Sequence, residues 1–97
     1  MLTNKQKKYL KGEAHHISAQ YQIGKNLIGP TQIDLFDKAL TARELIKISV
    51  QKSAVNDMEQ IIEHLTSVLN AELIDLRGHI ITLYRQNKLN PRYTLPK

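Results

Sequence analysis

"AELIDLRGHIITLYRQ", Ala71–Gln86, decides how many strands the chain can offer. It is rich in residues that favour extended backbone, and only Gly78 interrupts it. Two strands are expected, 72–77 and 79–86. So little chain lies between them that Gly78 marks either a very tight hairpin or a bulge or bend.

Upstream, "ELIKISVQ", Glu44–Gln51, alternates. Ile46, Ile48 and Val50 fall on one face, and Lys47, Ser49 and Gln51 on the other, the pattern of a strand with one buried face. Tyr21–Ile23 reads as a short strand ending at Gly24. Between the strands lie helical signals. Thr3-Asn4-Lys5-Gln6 is a capping box for a helix over about Asn4–His15. Gly29 as N-cap and Pro30 at the first helical position open a second helix, ending near Ala42, with Ile33, Phe36 and Leu40 as its apolar face. Asn56–Glu59 opens a third, in which Met58, Ile61, Ile62, Leu65, Val68 and Leu69 follow the amphipathic spacing up to a stop at Asn70. The order α-β-α-β-α-β-β predicts an α/β (α+β) fold with one sheet. One domain over 1–86 is expected, followed by a basic, flexible tail over 87–97, where two prolines and little apolar content stand.

The 97 residues, 41% of them apolar, suffice for one small core. No stretch is apolar enough for a bilayer or a secretory leader, and there is no cysteine, so a cytoplasmic protein is expected. The net charge of +5 is unevenly spread. Residues 1–30 hold five lysines against Glu13, residues 31–76 four bases against eight acids, and residues 77–97 five bases and no acid. If the two basic ends meet in the fold, they form one surface suited to a polyanion.

Catalytic signatures are missing. The four histidines make no metal-ligand pattern, and adjacent His15 and His16 point about 100° apart on a helix. The serines lie outside any nucleophile motif. "GKNLIGPT", Gly24–Thr31, has the spacing of a phosphate-binding loop, but Pro30 stands where the lysine is required. Neither enzyme activity nor a cofactor is expected. The turn itself suits phosphate in another way: a glycine for close backbone approach or positive φ, Lys25 as a point charge, and the amides of a helix N-terminus beyond.

"LTNKQKKYL", "AHHI", "QIGKN", "ALTARELIKI" and "LIDLRGHIITLYR" together resemble the CRM domain, the chloroplast RNA splicing and ribosome maturation domain, in its bacterial single-domain YhbY type. The resemblance covers about residues 2–86. It implies a four-stranded mixed sheet with three helices, similar to the C-terminal domain of translation initiation factor three. It also implies RNA binding and association with precursors of the large ribosomal subunit. The family's G-x-x-G loop falls on Gly24, Lys25, Asn26 and Leu27, with leucine where the family usually has glycine. The side chains expected on RNA are Lys5, Lys8 and Lys11, Lys25 and Asn26, and Arg85, then His15 or His16 and Arg77. Leu27 is left to stack on a base or meet a protein. With few aromatics, recognition of structured RNA by shape and backbone is expected rather than base stacking. A competing expectation is a protein-interaction module in which Leu27 and Ile28 form an apolar loop tip. DNA recognition fits less well, because no helix presents a face suited to base edges.

Overall fold

The computed structural model describes residues 2–24 and 28–96. Lys25, Asn26 and Leu27 lie outside the described residues. The elements run α1 (Asn4–Ala14), β1 (Tyr21–Ile23), α2 (Pro30–Arg43), β2 (Leu45–Val50), a 3-10 turn (Lys52–Asp57), α3 (Met58–Leu69), β3 (Glu72–Arg77) and β4 (Ile80–Tyr84). The four strands form one mixed sheet in the order β1-β2-β4-β3, with β1 parallel to β2 and the other pairs antiparallel. Three helices on a four-stranded mixed sheet is the architecture that the sequence implied.

Local signals explain the boundaries. The Thr3 hydroxyl accepts from the Gln6 amide at 3.1 Å, and the Gln6 side chain accepts from the Thr3 amide at 3.0 Å, closing the capping box. Asn70 ends α3 at φ 53°, the left-handed cap that asparagine tolerates. Gly78 settles the hairpin. Arg77 pairs with Ile80, so the turn is two residues long, with glycine first at φ +57°. The irregularity lies elsewhere: the β3–β4 register shifts between Leu73 and Asp75. Ile74 and Asp75 therefore both reach the α1 side of the sheet, which strict alternation would forbid.

The sheet divides two cores. Beneath α2 and α3, the strand residues Ile46, Ile48, Val50, Ile81 and Leu83 pack with Phe36, Leu40, Leu65 and Leu69, all at most 2% exposed. Each such side chain contributes roughly 1.5–3 kcal/mol on burial. Beneath α1 a smaller cluster joins Leu10 and Ala14 to Leu45, Ile74 and Tyr84. Ile28, expected at an exposed loop tip, is half-buried against the larger core.

The C-terminal segment does not stand off from the body. Glu44, read from sequence as the opening residue of a strand, instead caps α2 at φ 64° and is fully buried. Its carboxylate accepts from the amides of Asn87 at 2.6 Å, Tyr93 at 3.2 Å and Arg92. The Asn87 side chain donates to the Thr41 carbonyl at 2.8 Å, and Gln6 donates to the Pro96 carbonyl at 3.0 Å. Tyr93 and Leu95 pack on the smaller core. Residues 87–96, expected as a mobile tail, thus form a strap from α2 to the start of α1.

Candidate nucleic-acid interface

The α1 side of the sheet is apolar at one end and polar at the other. Strand pairing aligns the side chains in rows. Leu45, Tyr84 and Glu72 form the row under α1 and the strap. Next come Lys47, Thr82 and Asp75. The last row is Gln22, Ser49, Ile80 and Arg77, which crosses all four strands. At the usual strand spacing it is about 14 Å long. No residue of this last row is fully buried.

Helix α1 brings cations to this polar end. Leu10 and Ala14 face the sheet, so Lys5 and Lys8 fall on the far side of the helix and Lys11 on its flank, next to the imidazole of His15 at the C-cap, and all four residues are exposed. The last two reach a notch of about 70 Å³ between the end of α1 and the sheet. Arg77, Asp75, Lys47 and Thr82 also line it. The N-terminal and C-terminal basic segments therefore do meet, through Lys11 and His15 on one side and Arg77 on the other.

Not every cation in the notch is free. The Lys47 ammonium donates to the Ala14 and Ile17 carbonyls, both at 3.0 Å, and so caps the end of α1, where the helix dipole favours positive charge. Arg77 Nε lies 3.3 Å from Asp75 Oδ2 with its side chain 68% exposed, a geometry that leaves its other nitrogens open.

Arg85 does not join this group. It follows β4 at the far end of the sheet from Gly24, because β4 runs antiparallel to β2. Its guanidinium donates to Asp37 Oδ1 at 2.7 Å, and to the Leu69 carbonyl, the Asp37 carbonyl and Thr41 Oγ1 at 2.9 Å each. That fork ties β4 to α2 and α3, so the expectation that Arg85 reaches RNA beside the bend gives way to a structural role.

Gly24 ends β1 beside Gln51, whose amide donates to the Ile23 carbonyl at 2.8 Å. A side chain at Gly24 would place its Cβ 3.0 Å from Gln51 Oε1, so the glycine admits a neighbour and is not used for positive φ. Gln51 also lines a groove with Gln22, Ser49, Lys52, Ser53 and His79. Lys52 and His79 escape a reading of the sequence because only the 3-10 turn and the hairpin bring them to one groove with Gln51. The His79 carbonyl accepts from the Val50 amide at 2.8 Å, which holds that hairpin against the end of β2.

Charge separates across the sheet. Asp34, Asp37, Glu59 and Glu63 are exposed on the α2–α3 side, and Asp57 is exposed just before α3. Among the described residues, no group of three or more His, Asp or Glu side chains could hold a metal, and no helix is long and apolar enough to cross a membrane.

Comparison with known proteins agrees with this architecture. The family model described as "CRS1 / YhbY (CRM) domain" matches residues 2–85. Probable RNA-binding protein YqeI of Bacillus subtilis is 38% identical over 99% of this chain and all of its own length. Probable RNA-binding protein MJ0652 of Methanocaldococcus jannaschii is 35% identical over 99% of this chain and 72% of its own. The solution structure of SAV1595 from Staphylococcus aureus superposes with a TM-score of 0.82, at 40% identity, over 99% of this chain and all of that one.

Proposed function

The chain belongs to the CRS1 / YhbY (CRM) domain family, and from that premise we propose that it is a non-enzymatic RNA-binding protein. In this reading it works in the cytoplasm and docks on folded precursors of large-subunit ribosomal RNA. Two relatives are named as probable RNA-binding proteins, which supports RNA as the partner. One observation carries the choice of surface: Arg77 meets Lys11 and His15 at a notch beside an uncovered polar row of the sheet.

The mechanism follows from charge and shape. Lysines along α1 track phosphates and release their counterions, which supplies affinity without reading sequence. The polar row offers hydrogen-bonding groups to ribose or base edges. Gly24 adds a contact at the end of β1, and Lys25 and Asn26, next in the sequence, supply a charge and an amide to the same RNA. The expected recognition is of backbone and shape, since no aromatic side chain stands in the last row.

The test is a salt titration of RNA binding. The double variant Lys11→Ala, Arg77→Ala should weaken binding alike across RNA sequences and lower the slope of log K against log salt by about two, one per cation. Both side chains are exposed, so the melting temperature should hold. An unchanged slope in a folded variant removes this surface from the function. Sedimentation of cell extract addresses the partner: the protein should run with large-subunit precursors, and a signal confined to the top of the gradient overturns that assignment.

A further inference from the structure

A carboxylate sits where phosphate-binding cations converge. Asp75 lines the notch with Lys11, His15, Lys47 and Arg77, and its side chain is only 22% exposed. It is there because of the register shift after Leu73, which turns it toward α1. Among the described residues, Arg77 Nε at 3.3 Å from Oδ2 is its close cationic partner. Lys47, which could have neutralised it, is spent on the carbonyls of Ala14 and Ile17. Among the described residues Asp75 accepts no side-chain or backbone hydrogen bond, so Oδ1 is an open acceptor within a cationic recess.

A negative charge in such a place weakens phosphate binding unless it gains something from the ligand. A carboxylate can only accept, so the gain must come from a donor on the nucleic acid. A base amine would serve, and so would the ribose 2′-hydroxyl. The surrounding phosphate-seeking side chains hold the notch against the sugar–phosphate chain, where the hydroxyl is the donor at hand. On the RNA-binding reading above, we infer that Asp75 selects RNA over DNA: it accepts a hydrogen bond from a ribose 2′-hydroxyl while Arg77 and Lys11 hold the adjoining phosphate. Against DNA, the same carboxylate meets no donor and repels the backbone.

The experiment uses the full chain and one hairpin sequence made in ribose, 2′-deoxy and 2′-O-methyl forms. The wild type should prefer the ribose hairpin to both others by about tenfold, the scale of one charge-assisted hydrogen bond. In Asp75→Ala the preference should shrink to about twofold, chiefly because the deoxy and methylated forms bind better. Asp75→Asn keeps a carbonyl acceptor and the side-chain shape, and should retain part of the preference. A preference undiminished in Asp75→Ala overturns the assignment. Equal tightening on all three hairpins makes Asp75 a repulsive charge alone, and overturns it too. The methylated hairpin keeps every base amine, so wild type binding it as tightly as ribose assigns the donor to a base. Wild type that binds none of the three defeats the RNA-binding reading itself, an outcome distinct from loss of discrimination.

Discussion

On one face of the sheet, Ile46, Ile48, Val50, Ile81 and Leu83 disappear beneath α2 and α3. On the other, α1 and the strap close over Leu45, Ile74 and Tyr84, while Gln22, Ser49, Ile80 and Arg77 stay at least partly exposed. The same strands supply both faces, because alternate residues point to opposite sides. The difference is in the cover: two helices against one. Stability is concentrated where the cover is complete, and chemistry is available where it stops short. Arg85 and Arg77 show the same division in a single residue type, one spent on four acceptors and the other largely open.

The sharpest way to break that comparison is Phe36→Ala. It should cost about 3–5 kcal/mol in denaturant unfolding, as expected for a fully buried aromatic. A loss below about 1 kcal/mol would mean that the α2–α3 face is not the stabilising one. Arg85→Ala comes next. Losing its charge-assisted bonds should cost about 1.5–3 kcal/mol and leave the salt slope of RNA binding as it was. A lowered slope would return Arg85 to the RNA surface.

Tyr84→Phe should have the smallest effect at neutral pH, within about 1 kcal/mol of wild type, because the buried hydroxyl has no partner among the described residues. At high pH the two proteins should part. Burial, then the nearby Glu44 carboxylate, pushes the Tyr84 phenol from 10.0 up to about 12. The unfolded chain therefore releases this proton first, and wild-type stability should fall as pH climbs from 10.0 towards about 12. In Tyr84→Phe that share of the decline disappears, which thermal melts across the range would show. An identical decline in both would mean that the hydroxyl is not shielded by the smaller core.

The helices were largely legible because their signals are local. Thr3 with Gln6, Pro30 after Gly29, and Asn70 at a left-handed cap each act within a few residues of themselves. The strands were legible from alternation, and a carboxylate such as Asp75 could be named but not placed. Its facing depends on a register shift set by how β3 and β4 pack, which no short window of sequence encodes. Arg85 and Arg77 look alike in the sequence, since both follow β-forming runs. The path of β4 puts Arg85 beside Asp37, 48 positions away, whereas Arg77 meets Asp75 two residues before it on β3. Glu44 misled for a related reason: its alternation with the strand hid a buried acceptor whose partners lie 43 to 49 positions away. The lysine excess of the N-terminal segment was visible in the sequence, while the meeting of Lys11 with Arg77 depends on long-range packing.

The grip of Glu44 on the strap goes through main-chain N–H groups of Asn87, Arg92 and Tyr93, not through their side chains. The Glu44 bonds themselves therefore survive changes of amino-acid identity at these positions, unlike the Asn87 side-chain bond to Thr41 and the packing of Tyr93. Proline is the exception, because an imino acid has no hydrogen to offer.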